Sequence, residues 1–341
     1  MKKRIYYFDL LKVLGALAVV LIHVISEVYY TTDITSTNFK IMVILESFIR
    51  YSIPIYYMIS GAIFLNEDFN LDNKKLYKKY ILNLFLIYLF WNTSYTFLNE
   101  LINNNIPFSI NLILESIKST ILGHAVFQFD FLITILAFYV SLPILRLITK
   151  KKNKKEIEYL LLILFIFNSL IPLINVYMGI SIGYFIFFTS VVIFFILGYY
   201  LNTFELKKNI TKYIYIASII SVILTIILTL NDSLKIGYPS ELFFYYYSWN
   251  ILIPSIGIFL YCKNKFKNTK KEVNKTLTST YFGIYLIHGF SLGVAKVIGM
   301  YNINIPFILK IILITMFTYF LSFIASFIIS KIPYVKKLIR G

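Results

Sequence analysis

The chain has 341 residues, 59% of them hydrophobic and only 14% charged, with a mean hydropathy of +0.76. Soluble domains carry roughly 25% charged residues, so this composition excludes an ordinary soluble globular protein and points to a chain that lives in lipid. The net charge of +17 would suit nucleic acid, but the cations fall in alternate loops between apolar runs, which makes them topology determinants and contacts for anionic lipid, with no nucleic-acid partner expected.

Crossing about 30 Å of hydrocarbon as helix takes about 20 apolar residues. Ten runs of that kind recur, approximately at 7–29, 41–65, 80–98, 125–146, 157–178, 182–202, 212–230, 242–262, 278–299 and 305–330. They leave little chain for anything else, so residues 1–341 are expected to form a single integral-membrane domain. The expected fold is an all-α polytopic membrane helix bundle of about ten spans. Most of the 33 basic residues fall before the first run, after every even run and after the last. They are Lys2, Lys3 and Arg4; Lys74, Lys75, Lys78 and Lys79; Arg146 through Lys155; Lys207, Lys208 and Lys212; Lys263 through Lys275; and Lys331 through Arg340. The positive-inside rule then puts both termini in the cytoplasm, which requires an even number of spans. The other loops offer Lys40, Lys118, Lys235 and Lys296.

The first run, MKKRIYYFDLLKVLGALAVVLIHV, has the basic start of a signal peptide, but Asp9 and Lys12 interrupt its front and no small-x-small cleavage site follows His23. It is expected to be retained as a helix. A charge at the bilayer centre costs at least about 2.5–3.5 kcal/mol, so each intramembrane ionisable group calls for a function. Lys12 and His23 are eleven residues apart, which on a helix returns His23 to within about 20° of Lys12 and separates them by about 16 Å. Asp9 falls near the same stripe. One face therefore presents a cation near one membrane surface and an imidazole deeper in, and it belongs toward a polar cavity. Snorkelling to headgroups is the simpler account of Lys12, but it leaves His23 unexplained.

In the second run Glu46 and Arg50 stand four apart and are expected to neutralise each other on one helix face. Pro54, Ser60 and Gly61 mark a kink and a small-residue contact. His124 stands at the entrance of the fourth run and Asp130 within it, and His288 lies in the ninth. Helix packing is the bland account of both histidines. The single Cys262 permits no intramolecular disulfide, and no motif suggests a metal. The abundant tyrosines and phenylalanines read mainly as interface belt and packing, and no sugar groove can be picked out among them.

YYFDLLKVLGALAVVLIHV, RYSIPIYYMISGAIFL, GHAVFQFDFLITILAFYVSLPILR and TYFGIYLIHGF, in that order, resemble the acyltransferase-3 family of integral-membrane acyltransferases over about residues 4–331. That family includes stand-alone bacterial enzymes that O-acylate surface polysaccharides. The family's basic residue, ten intervening positions and histidine match Lys12 and His23. Its Arg-x-x-x-Pro and Ser-Gly element matches Arg50, Pro54, Ser60 and Gly61. The tryptophan that often follows the histidine of the fourth-span motif is missing from GHAVFQFDF, so no catalytic role passes to His124 and none is given to Asp130. The chain ends soon after the tenth run with KKLIRG, as in relatives without an appended esterase-like domain.

The resemblance implies transfer of an acyl group, commonly acetyl, from cytoplasmic acyl-coenzyme A to a hydroxyl of a cell-surface or lipid-linked glycan, in a bacterial plasma membrane. His23 would be the catalytic base, with an acyl-histidine intermediate as the other route. Lys12, Arg50, Asp9 and His288 would bind substrate or acyl-coenzyme A, while Glu46, Pro54, Ser60 and Gly61 would be structural. The competing reading is a polysaccharide or lipid-linked sugar exporter without acyl transfer. The residues show no energy source and no paired inverted repeats for it.

Overall fold

The computed structural model describes residues 4–69, 71–102, 104, 106–124, 126–150, 153–178, 191–246 and 248–339. These form helices α1 (Tyr6–Tyr29), α2 (Thr37–Ile49), α3 (Ser52–Phe64), α4 (Asn73–Lys75), α5 (Leu82–Ile102), α6 (Ile110–Ile121) and α7 (Asp130–Thr149). They continue as α8 (Lys154–Phe165), α9 (Ile171–Met178), α10 (Val192–Thr203), α11 (Lys208–Ile236), α12 (Trp249–Phe266), α13 (Lys275–Val297) and α14 (Phe307–Lys331). A π-helical stretch at Leu76–Ile81 joins α4 to α5, and another at Ile166–Leu170 joins α8 to α9. Among the described residues there is no strand, and the fold is an all-α membrane bundle.

Local chemistry sets many of the helix ends. Ser36, Asp72, Ser109 and Asn274 cap α2, α4, α6 and α13 by accepting backbone N–H groups that the first turn leaves unpaired. Gly237 ends α11 at φ 80°, a left-handed conformation that side chains disfavour. The second expected span is broken between Ile49 and Ser52. Pro54 is the reason: it donates no N–H to the Arg50 carbonyl, and its ring crowds that turn.

The central helix is α1, packed against α2, α3, α12, α13 and α14. On α11 and α14, bulky apolar side chains face outward while Ser221, Thr225, Thr229 and Ser233, and Thr315, Thr318, Ser322 and Ser326, are buried. This reverses the pattern of a soluble protein. In hydrocarbon, burying apolar groups gains nothing, so small residues that permit close approach and hydrogen bonding form the interfaces. Ser322 Oγ donates to Ser291 Oγ at 2.8 Å and Ser326 Oγ to the Thr280 carbonyl at 3.2 Å, tying α14 to α13. The crossing of α3 and α10 is tighter still: a Cβ on Gly61 would lie 1.9 Å from the Phe195 carbonyl oxygen. The small-residue contact expected at Ser60 and Gly61 is therefore made by Gly61.

Among the described residues eight helical segments are long and apolar enough to cross a membrane. They match the expected runs except the sixth and the ninth. The sixth is described only as α10, twelve residues long, and residues 182–190 of that run lie outside the described residues, as do Lys2, Lys3, Lys151, Lys152 and Arg340. The ninth, α13, spans 23 residues but carries Thr, Ser, Gly and His on faces turned into the bundle. The fourth run is corrected at its start, because α7 begins at Asp130, which is exposed in the first turn and lies there rather than deep in the span. A carboxylate at that end is favoured by the helix dipole. The chain also folds α6, which periodicity over a 20-residue window passes over, because a helix of 12 residues is too short to span. Arg4 and Ile339 line one cavity, so the two ends of the described chain lie at the same end of the bundle.

Candidate active site

At that end a cavity of about 660 Å³ opens among Arg4, Asp9, Lys12, Asn66, Asn202 and Thr278. A second cavity, of about 250 Å³, shares Lys12, Ile63, Phe69, Tyr281 and Phe282 with it and continues between Tyr56, Tyr80, Tyr139 and Tyr285. The first sets charged and polar side chains among apolar ones, and the second is mainly aromatic and aliphatic. Lys12 stands at their junction, its Nζ 3.8 Å from Asp9 Oδ1 and 5.6 Å from the centre of the Tyr281 ring. The Tyr56 hydroxyl donates to the Lys12 carbonyl at 2.7 Å, and Gly15 leaves room for the Tyr56 ring beside α1. Lys12 thus faces a cavity. Asp9 and Asp68 balance Arg4 and Lys12 on the lining of this cavity, so its mouth is formally neutral rather than cationic.

Further along the same face of α1, the His23 ring lies 4.8 Å from the His288 ring, centre to centre. His288 is 0% exposed. Its Nδ1 contacts the Tyr285 carbonyl, while its Nε2 has no hydrogen-bond partner among the described residues. Tyr285, which lines the aromatic cavity, has its ring centre 6.0 Å from that of His288 and donates its hydroxyl to the Gln128 carbonyl. The helix thus carries its polar groups from the shared cavity wall at Lys12 to a half-buried His23 set against the buried His288.

Arg50 and Glu46 form the expected ion pair, at the break between α2 and α3. Both are buried, at 6% and 2% exposure. The guanidinium lies 4.7 Å from the Phe244 ring centre and 5.8 Å from that of Tyr246, and its Nε has no hydrogen-bond partner among the described residues. Ser60 lines the aromatic cavity beside Tyr56, a place the small-residue reading did not give it.

His124 is not brought to this centre. It is exposed in the turn after α6, and Asn92 holds that turn through the His124 carbonyl at 3.3 Å and the Val126 N–H at 2.7 Å. Among the described residues no three His, Cys, Asp or Glu side chains come together. The cavity tyrosines went unnoticed in the sequence, although a signal was present. Tyr281, Tyr285 and His288 are spaced i, i+4, i+7 in TYFGIYLIHGF, which places them on one helix face.

No curated protein and no solved structure matches the chain. A family model described as an acyltransferase domain matches residues 5–331, essentially the whole chain, and that match takes in α1 with Lys12 and His23, the α2–α3 break and α13 with His288. With this coverage, and with a polytopic helix bundle around a polar stripe, the chain belongs to the acyltransferase-3 family of membrane acyltransferases.

Proposed function

We propose that this membrane acyltransferase moves an acyl group, acetyl in the simplest case, from cytoplasmic acyl-coenzyme A to a hydroxyl of a cell-surface or lipid-linked glycan in a bacterial plasma membrane. The observation that supports this reading most is the course of α1. It carries Lys12 on the wall of the cavities and His23 against a buried histidine whose neighbour Tyr285 lines the same space. The cavities hold about 660 and 250 Å³, against roughly 300–1,000 Å³ for ordinary small-molecule sites. The polar outer cavity suits the nucleotide end of the donor, and the aromatic slot suits its thin thioester arm.

In this reading the acceptor oxygen attacks the thioester carbonyl carbon while His23 takes the hydroxyl proton. The carbon–sulfur bond then breaks, and the proton passes to the departing thiolate. General-base help of this kind is worth about 10² to 10⁴ in rate. Arg50, whose donor Nε has no partner among the described residues, would hold a substrate oxygen as charge develops on it. Lys12 would meet the anionic donor as a point charge, with Asp9 tempering it.

The test uses the purified protein in nanodiscs with radiolabelled acetyl-coenzyme A and octyl glucoside as acceptor. Label should move onto the glucoside with wild type. With His23→Ala, and less completely with His23→Gln, it should stay on the donor. Near-normal transfer by His23→Ala at equal protein amount would remove His23 as the base. Movement of a lipid-linked sugar across the bilayer without labelling would replace the transferase with an exporter.

A further inference from the structure

His288 is read from the sequence as a substrate contact, but its surroundings suit another task. Its Nδ1 faces a carbonyl oxygen, which only accepts hydrogen bonds, so Nδ1 carries the proton and Nε2 of the neutral ring carries a lone pair. That lone pair is fully buried and has no hydrogen-bond partner among the described residues. Such groups are rare in folded proteins and costly to keep. Of the rings packed against His288, that of His23 is closer than that of Tyr285, at 4.8 Å between centres and 43° between planes against 6.0 Å. The structure makes no hydrogen bond at this nitrogen among the described residues, but from this ring spacing a small ring rotation brings two nitrogens to the about 3 Å of a hydrogen bond.

We propose that His288 is a positioning residue for His23. Its Nε2 accepts the N–H of His23, so that the other nitrogen of His23 presents its lone pair to the acceptor hydroxyl. Once His23 has taken the proton, the same contact steadies the imidazolium until the proton goes to the thiolate. The Tyr285 carbonyl, His288 and His23 then form a chain in which each member fixes the tautomer of the next. The arrangement follows the logic of a base oriented by a third group, with a neutral imidazole and a backbone carbonyl in place of a carboxylate. The catalytic part of this proposal rests on the transferase reading above, but the tautomer part does not.

The experiment has two arms. The protein has three histidines, so a preparation labelled with ¹⁵N-histidine in nanodiscs gives three imidazole signal sets, assignable with His124→Gln. In wild type His23 should show one dominant tautomer, and His288→Phe should mix its tautomers. An unchanged His23 signal in His288→Phe would overturn the proposal whether or not any transfer is observed.

The kinetic arm compares His288→Gln, which keeps an acceptor oxygen near the Nε2 position, with His288→Phe and His288→Asn. Acetyl transfer to octyl glucoside should fall at least tenfold in kcat for Phe and Asn, with the donor KM unchanged, and Gln should recover most of it. In the His23→Ala background His288→Phe should cost nothing further. Equal rates for Gln and Asn, or a rise in donor KM with kcat intact, would overturn the positioning role and favour direct substrate contact. Should His288→Phe not fold, the Gln and Asn pair decides. Full activity in His23→Ala would instead remove His23 as the base, and no transfer by the wild type would sink the transferase reading itself.

Discussion

Gly61 on α3 and Gly198 on α10 lock their helices together reciprocally. A Cβ on Gly61 would fall 1.9 Å from the Phe195 carbonyl oxygen, and one on Gly198 would fall 1.8 Å from that of Met58. Backbone meets backbone at this crossing, and α3 is also the helix that sets Tyr56 beneath Lys12.

Gly61→Ala should therefore destabilise the bundle, by about 1–3 kcal/mol if the helices can part slightly. Gly293, whose surroundings leave open space for a Cβ, supplies the control. Thermal unfolding in nanodiscs should show a clear drop for Gly61→Ala and Gly198→Ala, and none for Gly293→Ala. Equal stability in all three would mean that the crossing is looser than the structure has it.

The Lys12 and Asp9 pair makes a signed prediction. If the outer cavity receives an anionic donor, Lys12→Met should raise the acetyl-coenzyme A KM, Lys12→Arg should raise it less, and Asp9→Asn should lower it. All three changes should shrink at high salt, because the cavity mouth is open to screening. KM stands for affinity here only where chemistry is slow. An unchanged KM across the set would leave Lys12 as a packing residue that happens to line the cavity.

The Glu46 and Arg50 pair separates stability from function. Arg50→Met leaves a buried carboxylate without its cation and should cost about 3–5 kcal/mol. The double variant Glu46→Leu, Arg50→Met removes both charges and should recover most of the lost unfolding temperature. If Arg50 also holds substrate, the double variant stays inactive. Recovery of transfer along with stability would make the pair purely architectural.

Topology can be tested with single cysteines. On a Cys262→Ala background, Thr35→Cys in the α1–α2 loop should react with an impermeant maleimide added outside intact cells, and Lys270→Cys in the α12–α13 loop only after permeabilisation. Outside labelling at Lys270→Cys would reverse the proposed placement of both chain ends in the cytoplasm.

The membrane class, the all-helical fold and most of the helices could be read from the chain alone, because insertion depends on local quantities: apolar length against bilayer thickness, and lysine on alternate loops. The stripe of Lys12 and His23 was legible for the same reason, since a helix repeats its faces at a known angle. So was the ion pair of Glu46 with Arg50, which lie one turn apart. The tertiary structure decided what local pattern cannot carry. It made α13 the partner of the α1 stripe, and set His288 against His23 and Tyr281 beneath Lys12. It also sent His124 to the surface, although the histidine looks equally greasy-flanked in sequence. Which faces of distant helices meet depends on close packing of small residues such as Gly61 and Ser326, and a span's hydropathy says nothing of its neighbour, because lipid and protein are equally apolar to it.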